Sequence, residues 1–112
     1  MKLEIDYIEF ESEQFEQSKS FFEKAFGWSY VDYGPDYSEI RDAGVTGGLS
    51  RTESRVEPLV ILKADDLDAA LAEVEKAGGE IVAPIFSFPG GRRFQFKEPG
   101  GNVLAVWAEG EE

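Results

Sequence analysis

Leu59-Val60-Ile61-Leu62-Lys63-Ala64-Asp65-Asp66-Leu67-Asp68-Ala69-Ala70 is the stretch on which the fold turns. Its first six residues are rich in branched aliphatics and read as a strand. At Asp65 the pattern changes. The acidic run opens a helix, where negative charge meets the positive end of the helix dipole, and Leu67, Ala70, Leu71 and Val74 form one apolar stripe ending at Gly78-Gly79. The same run invites a calcium reading, but it lacks the later ligands of an EF-hand loop, so capping is its better account. Three strands follow, at 80–86, 92–97 and 102–107, divided by Pro89-Gly90-Gly91 and by Glu98-Pro99-Gly100-Gly101.

Working back from this stretch, the first half gives the same order. Residues 2–11 alternate, with Leu3, Ile5, Tyr7 and Glu9 on one face and Ile8 and Phe10 on the other. From Ser12, a candidate cap, Phe15, Ser18, Phe22 and Ala25 or Phe26 recur at helical spacing until Gly27 supplies a stop. Segments 28–33, 37–42 and 45–51 read as short strands divided by Gly34-Pro35-Asp36 and Ala43-Gly44. Glu23-Lys24-Ala25 and Glu75-Lys76-Ala77 lie 52 apart (75 minus 23), and the same offset pairs Ile8 with Val60, Phe10 with Leu62 and Phe15 with Leu67. The chain therefore reads as α+β, a single domain over 1–112 built from two βαβββ modules of about 1–54 and 55–108.

Composition narrows the chemistry. The 112 residues carry 11 Lys and Arg against 23 Asp and Glu, a net charge of −12, which disfavours phosphate backbones and anionic membranes as partners. With no Cys and no His, disulfides, thiolate zinc, a cysteine nucleophile, a serine-triad base and imidazole ligands are all excluded. Carboxylates, Tyr, Lys and backbone remain. No N-terminal apolar stretch reads as a signal and no run approaches about eighteen apolar residues, so a soluble, cytoplasmic chain is expected. The tail 108–112 is expected to fray.

Two βαβββ modules, with Phe21-Phe22 and Phe26-Gly27-Trp28 closing the first helix, resemble the vicinal oxygen chelate superfamily of glyoxalases, bleomycin resistance proteins and dioxygenases. The junction 60–70, the helix end Ala77-Gly78-Gly79 and the turn Glu98-Pro99-Gly100-Gly101-Asn102 resemble the family's phrases in the second half. The resemblance implies a curved mixed sheet around a cleft, with metal-using relatives placing His on the first strand of each module and Glu near the end of each last strand. The matching positions here are Tyr7, Leu59, Ala105 and Gly47 or Gly48. Leu59, Ala105 and glycine have no side-chain donors, so no metal and no cofactor are expected. A carboxylate site built on Glu9 and Glu11 is the weaker alternative to solvated strand-end Glu.

Strand alternation then predicts which residues face the cleft. Ile5, Tyr7, Glu9 and Glu11 go inward if Ile8 and Phe10 turn to the first helix; Leu59, Ile61 and Lys63 go inward if Leu62 turns to the second; Val103, Ala105 and Trp107 share the face of Leu59. Tyr7, Glu9, Leu59, Ala105 and Trp107 thus form a candidate ligand-binding set, an apolar, aromatic slot with an acidic lip. The bland account is that these side chains fill the cup as core. Phe94 and Phe96 share a face and either join the ligand-binding set, cover a dimer partner or belong to the core. Arg92 and Arg93 are candidates to hold a ligand's carboxylate or phosphate, against solvated or surface-paired arginines. Gly47-Gly48 and Gly100-Gly101 lack the lysine and the helix of a phosphate loop and read as turn or strand-kink glycines.

The leading expectation is a metal-independent small-molecule binding protein, not a metal-dependent glyoxalase or dioxygenase, that sequesters a cationic or aromatic drug or metabolite as a homodimer. One alternative is a lyase or isomerase acting on a small carbonyl compound, with Glu9 as base and Tyr7 as acid and Arg92, Arg93 or Lys63 holding the enolate. Another is an interaction module with a filled cleft.

Overall fold

The computed structural model describes residues 2–54 and 57–110. Its elements run β1 (Leu3–Ser12), α1 (Phe15–Phe26), β2 (Ser29–Asp32), β3 (Tyr37–Arg41), β4 (Gly47–Arg51), β5 (Leu59–Ala64), α2 (Leu67–Lys76), β6 (Glu80–Phe88), β7 (Gly91–Lys97) and β8 (Val103–Glu109). This is the α+β, twofold βαβββ order that the alternation and the offset predict. Both helices begin on residues paired by that offset, Phe15 and Leu67. The chain divides into two compact units. One spans Tyr7–Leu59; the other takes Val60 onward together with the first residues through Asp6.

In the Tyr7–Leu59 unit, the strands lie in the order β2-β3-β4-β1, with β1 parallel to β4 and the remaining pairs antiparallel. Gly48 sits opposite Glu9 on one side and Glu39 on the other. Phe15, Ile40 and Leu49 are almost fully buried, with Phe10, Phe22, Trp28 and Tyr30 packed around them. Each such ring or branched chain removed from water contributes about 1.5–3 kcal/mol. Because Leu49 and Ile40 face this core, their neighbours Gly48 and Glu39 face the other side of the sheet.

Helix α1 ends as expected, with Gly27 in the left-handed region at φ 76 and its N–H donating to the Glu23 carbonyl at 2.9 Å. Its start differs. Gln14 holds the cap position without a side-chain hydrogen bond, while Ser12 closes β1, accepts from the Gln14 N–H at 2.9 Å and meets the Ser18 hydroxyl at 2.6 Å. Ser12 therefore staples the strand to the helix from two residues further upstream than a cap.

In the other unit the order is β5-β8-β7-β6, again with one parallel pair, β5 with β8. Asp66 caps α2, its carboxylate accepting from the Ala69 N–H at 3.0 Å. Ala64, Leu67, Ala70, Phe94, Phe96, Val106 and Ala108 form the core beneath α2. Strand β6 runs on to Phe88 through Pro84, with register shifts between Ile81 and Ala83 and between Ala83 and Phe86; proline belongs in such an irregular strand, where its missing donor interrupts little. The expected fraying from residue 108 is corrected in part: Ala108 and Glu109 pair with Arg92 and Gly91, while 111 and 112 lie outside the described residues.

Candidate functional site

On the helix-free face of the Tyr7–Leu59 unit, Tyr7 and Glu9 project from β1 and Tyr37 and Glu39 from β3, with Gly48 of β4 between the two pairs. The Tyr7 and Tyr37 hydroxyls are hydrogen-bonded to each other, and Tyr37 donates to Glu9 Oε2 at 3.1 Å. Gly48 makes the meeting possible. A Cβ there would overlap the Tyr37 hydroxyl and lie 2.6 Å from that of Tyr7. Gly47 is bare for a separate reason, since its Cβ would lie 2.7 Å from the Ile8 carbonyl oxygen. Neither glycine has a positive φ, so close approach rather than a turn explains both.

Both phenols are half-buried and have pKa values raised above the ordinary tyrosine value, Tyr37 the more strongly. Desolvation is the main cause for each; the charge of Glu9 adds to it, and for Tyr7 the charge of Glu39 adds further. Glu39 is itself held by Arg41 at 3.2 Å and accepts from the Tyr33 hydroxyl at 3.3 Å. The cluster is thus aromatic and acidic, with both phenols kept as hydrogen-bonding groups rather than phenolates. Tyr7 and Glu9 were legible as candidates; Tyr37, which joins them, was missed.

The helix-free face of the other unit differs. Lys63, Trp107, Arg93 and Phe86 stand in one row across β5, β8, β7 and β6. The Lys63 ammonium lies 5.2 Å from the Trp107 ring centre and pairs with Glu109 at 3.3 Å; the Arg93 guanidinium lies 5.4 Å from the Phe86 ring centre and donates to Gln95 at 3.2 Å. Trp107 donates its indole N–H to Asp6 at 3.3 Å. The chain's own ammonium thus lies over the aromatic face that the sequence offered to a cationic ligand. Arg92 pairs with Asp68 at 3.7 Å, the surface alternative for that residue.

Ala105 shares this face and is fully buried, whereas Leu59, at the start of β5, is half-buried. Phe94 and Phe96 lie elsewhere. They stand opposite Val106 and Leu104 and sink into the core beneath α2, Phe94 with 0% of its surface exposed. This is the core placement that their two-residue spacing left open beside a ligand or partner role.

A profile of the Glyoxalase/Bleomycin resistance protein/Dioxygenase superfamily matches residues 4–106. The chain belongs to this superfamily. Among solved structures, it is similar to the Mn(II)-bound glyoxalase from Novosphingobium aromaticivorans at 26% identity and a TM-score of 0.71, covering 94% of this chain and 38% of that one. The chain thus spans well under half of that glyoxalase's length. The methylmalonyl-CoA epimerase from Mycobacterium tuberculosis superposes at a TM-score of 0.76 with 11% identity, over 96% of this chain and 89% of the epimerase. A superfamily member from Vibrio splendidus 12B01 gives 0.66 with 16% identity, over 96% of this chain and 98% of its own. At 11% and 16% these two share the fold alone. No curated protein sequence matches.

Membership raises the question of a metal. Among the described residues no three His, Cys, Asp or Glu side chains converge. Of the positions that the family resemblance marks, Leu59, Ala105 and Gly48 carry no donor atom, and the Tyr7 hydroxyl is bonded to Tyr37 with its phenolate disfavoured by burial. This set does not fit a divalent cation, which needs several convergent anionic or neutral oxygen or nitrogen donors. Nor is any helix among the described residues long and apolar enough to cross a membrane.

Proposed function

We propose that this superfamily member is a metal-independent small-molecule binding protein whose ligand is cationic and aromatic, held at the Tyr7–Tyr37–Glu9 cluster. One observation carries the proposal: two protonated phenols meet over bare backbone at Gly48 with the Glu9 carboxylate bonded to one of them. Phenol rings attract a cation over their faces by about 0.5–2 kcal/mol, rising with desolvation, and the net charge of −12 raises the encounter rate of positive ligands. The Arg41 guanidinium of the same unit is already held by Glu39.

The enzymatic alternative takes Glu9 as base, its carboxylate oriented by the same hydrogen bond from Tyr37. Against it, the cations invoked to hold an enolate have other work: Lys63 with Glu109 and Trp107, Arg92 with Asp68, Arg93 with Gln95 and Phe86.

Isothermal titration of the full chain against planar aromatic cations and anions of matched shape tests the proposal. Saturable binding of cations, weakening as salt is raised, is expected. Preference for the anions, or heat from neither class, contradicts it.

A further inference from the structure

On the helix-free face of the unit that holds β5 to β8, the side chains in the row from Lys63 to Phe86 are held to different degrees. Trp107 is half-buried and fixed on two sides, its indole N–H donating to Asp6 Oδ1 at 3.3 Å and its ring lying 6.1 Å from that of Phe88. The indole edge also runs close above Gly91, where a Cβ would come within 3.3 Å of Trp107 Cε3. A ring held in this way is a preorganised platform, with little freedom left to lose when a ligand stacks on it.

Lys63 is held far less firmly. Its ammonium lies 5.2 Å from the indole ring centre and 3.3 Å from Glu109 Oε1, with 41% of the Lys63 side chain and 70% of the Glu109 side chain exposed. An exposed ion pair and an exposed cation–π contact together amount to about tenfold in an equilibrium constant, and a displaced ammonium regains its water. The neighbouring Arg93 is engaged with Phe86 and Gln95 instead. A fixed π face and a carboxylate beside it are the parts of an ammonium site, and in the free chain the occupant is the chain's own lysine.

We infer that Trp107 and Glu109 form a second cation site, for planar aromatic cations, which Lys63 occupies as a tethered competitor. An external cation must displace Lys63, and its affinity is lowered by about the tenfold that the lysine's own contacts are worth. A planar cation stacks on the indole, a contact that an ammonium on an aliphatic stem does not make. Lys63 thereby keeps simple ammonium ions out and sets the threshold for aromatic ones.

The test is quenching of indole fluorescence in the full chain by N-methylpyridinium, with excitation selective for tryptophan so that the tyrosine cluster of the other unit does not enter the signal. Trp28, the other tryptophan, packs against the core of that unit. In Lys63→Ala, and equally in Lys63→Ser, saturable quenching is expected at about one-tenth of the concentration that wild type needs. Lys63→Arg keeps a cation over the ring and should match wild type. So should Lys97→Ala, which removes the same charge from the exposed end of β7. Glu109→Gln in the Lys63→Ala background should lose most of the gain, and Trp107→Phe should remove the saturable component. Circular dichroism establishes that each variant is folded. Lys63→Ala and Lys63→Ser binding as wild type does, a gain shared by Lys63→Arg or Lys97→Ala, or a saturable component that survives Trp107→Phe overturns the inference. Failure of the tyrosine cluster to bind cations would leave this result unchanged.

Discussion

Tyr37 places its hydroxyl where a side chain on Gly48 would begin, so that a residue of β3 fills the space of a residue on β4. Gly48→Ala is accordingly expected to cost about 1–3 kcal/mol in urea unfolding, the range for inserting a methyl group into occupied volume. The cost should largely vanish in a Tyr37→Ala background, since the pair shares that volume; additivity in the double-mutant cycle would contradict the geometry.

The phenols make a second expectation. Tyr37, and less so Tyr7 and Tyr30, have folded pKa values above their unfolded ones, chiefly through desolvation. The folded state then retains protons that the unfolded state releases, so stability is fully present below about pH 10 and declines as pH rises further. Tyr37→Phe should flatten that decline. Ultraviolet titration of phenolate absorbance should show Tyr37 ionising after Tyr7 and Tyr30.

Glu98 acts at the acid end. Its carboxylate accepts from the N–H of Gly100 at 2.6 Å, from the N–H of Asn102 at 3.1 Å and from the Asn102 side chain at 2.5 Å, which together hold its pKa below the usual range. A lowered folded pKa contributes stability above the unfolded value near ~4.3, lost as pH falls through the folded one. The Tm gap between wild type and Glu98→Gln should therefore be constant above about pH 5.5 and close under acid conditions.

Phe94 separates core from site. Phe94→Ala should lose about 3–5 kcal/mol, a large share of a typical total of 5–15 kcal/mol. Phe94→Leu should keep the fold and bind aromatic cations as wild type does. Selective loss of binding in a fully stable Phe94→Leu protein would return this ring to the site.

The halves were legible because local signals repeat: the offset of 52 places Phe15 and Leu67 at the first helical turn of each module, and Gly27 and the Asp66 cap bound the helices by backbone chemistry that neighbours in sequence supply. Tyr37 was not legible. It stands thirty residues from Tyr7, and only the pairing of β3 with β4 and β4 with β1 brings the two hydroxyls together. A signal existed in Gly47-Gly48, two bare residues inside a strand, where close approach of other atoms was the alternative to a kink. Period two put Phe94 and Phe96 on one face, but which face depended on the register that sets Phe94 opposite Val106 rather than Ala105.

Titration of 1-naphthylmethylammonium into the full chain, once after exhaustive treatment with EDTA and once after loading with Mn(II), with metal content measured on the same samples, bears most directly on binding without a metal. The affinity should be the same in both samples, with no stoichiometric metal retained after dialysis. Binding that appears only in the Mn(II)-loaded sample, with one tightly held ion per chain, would contradict it.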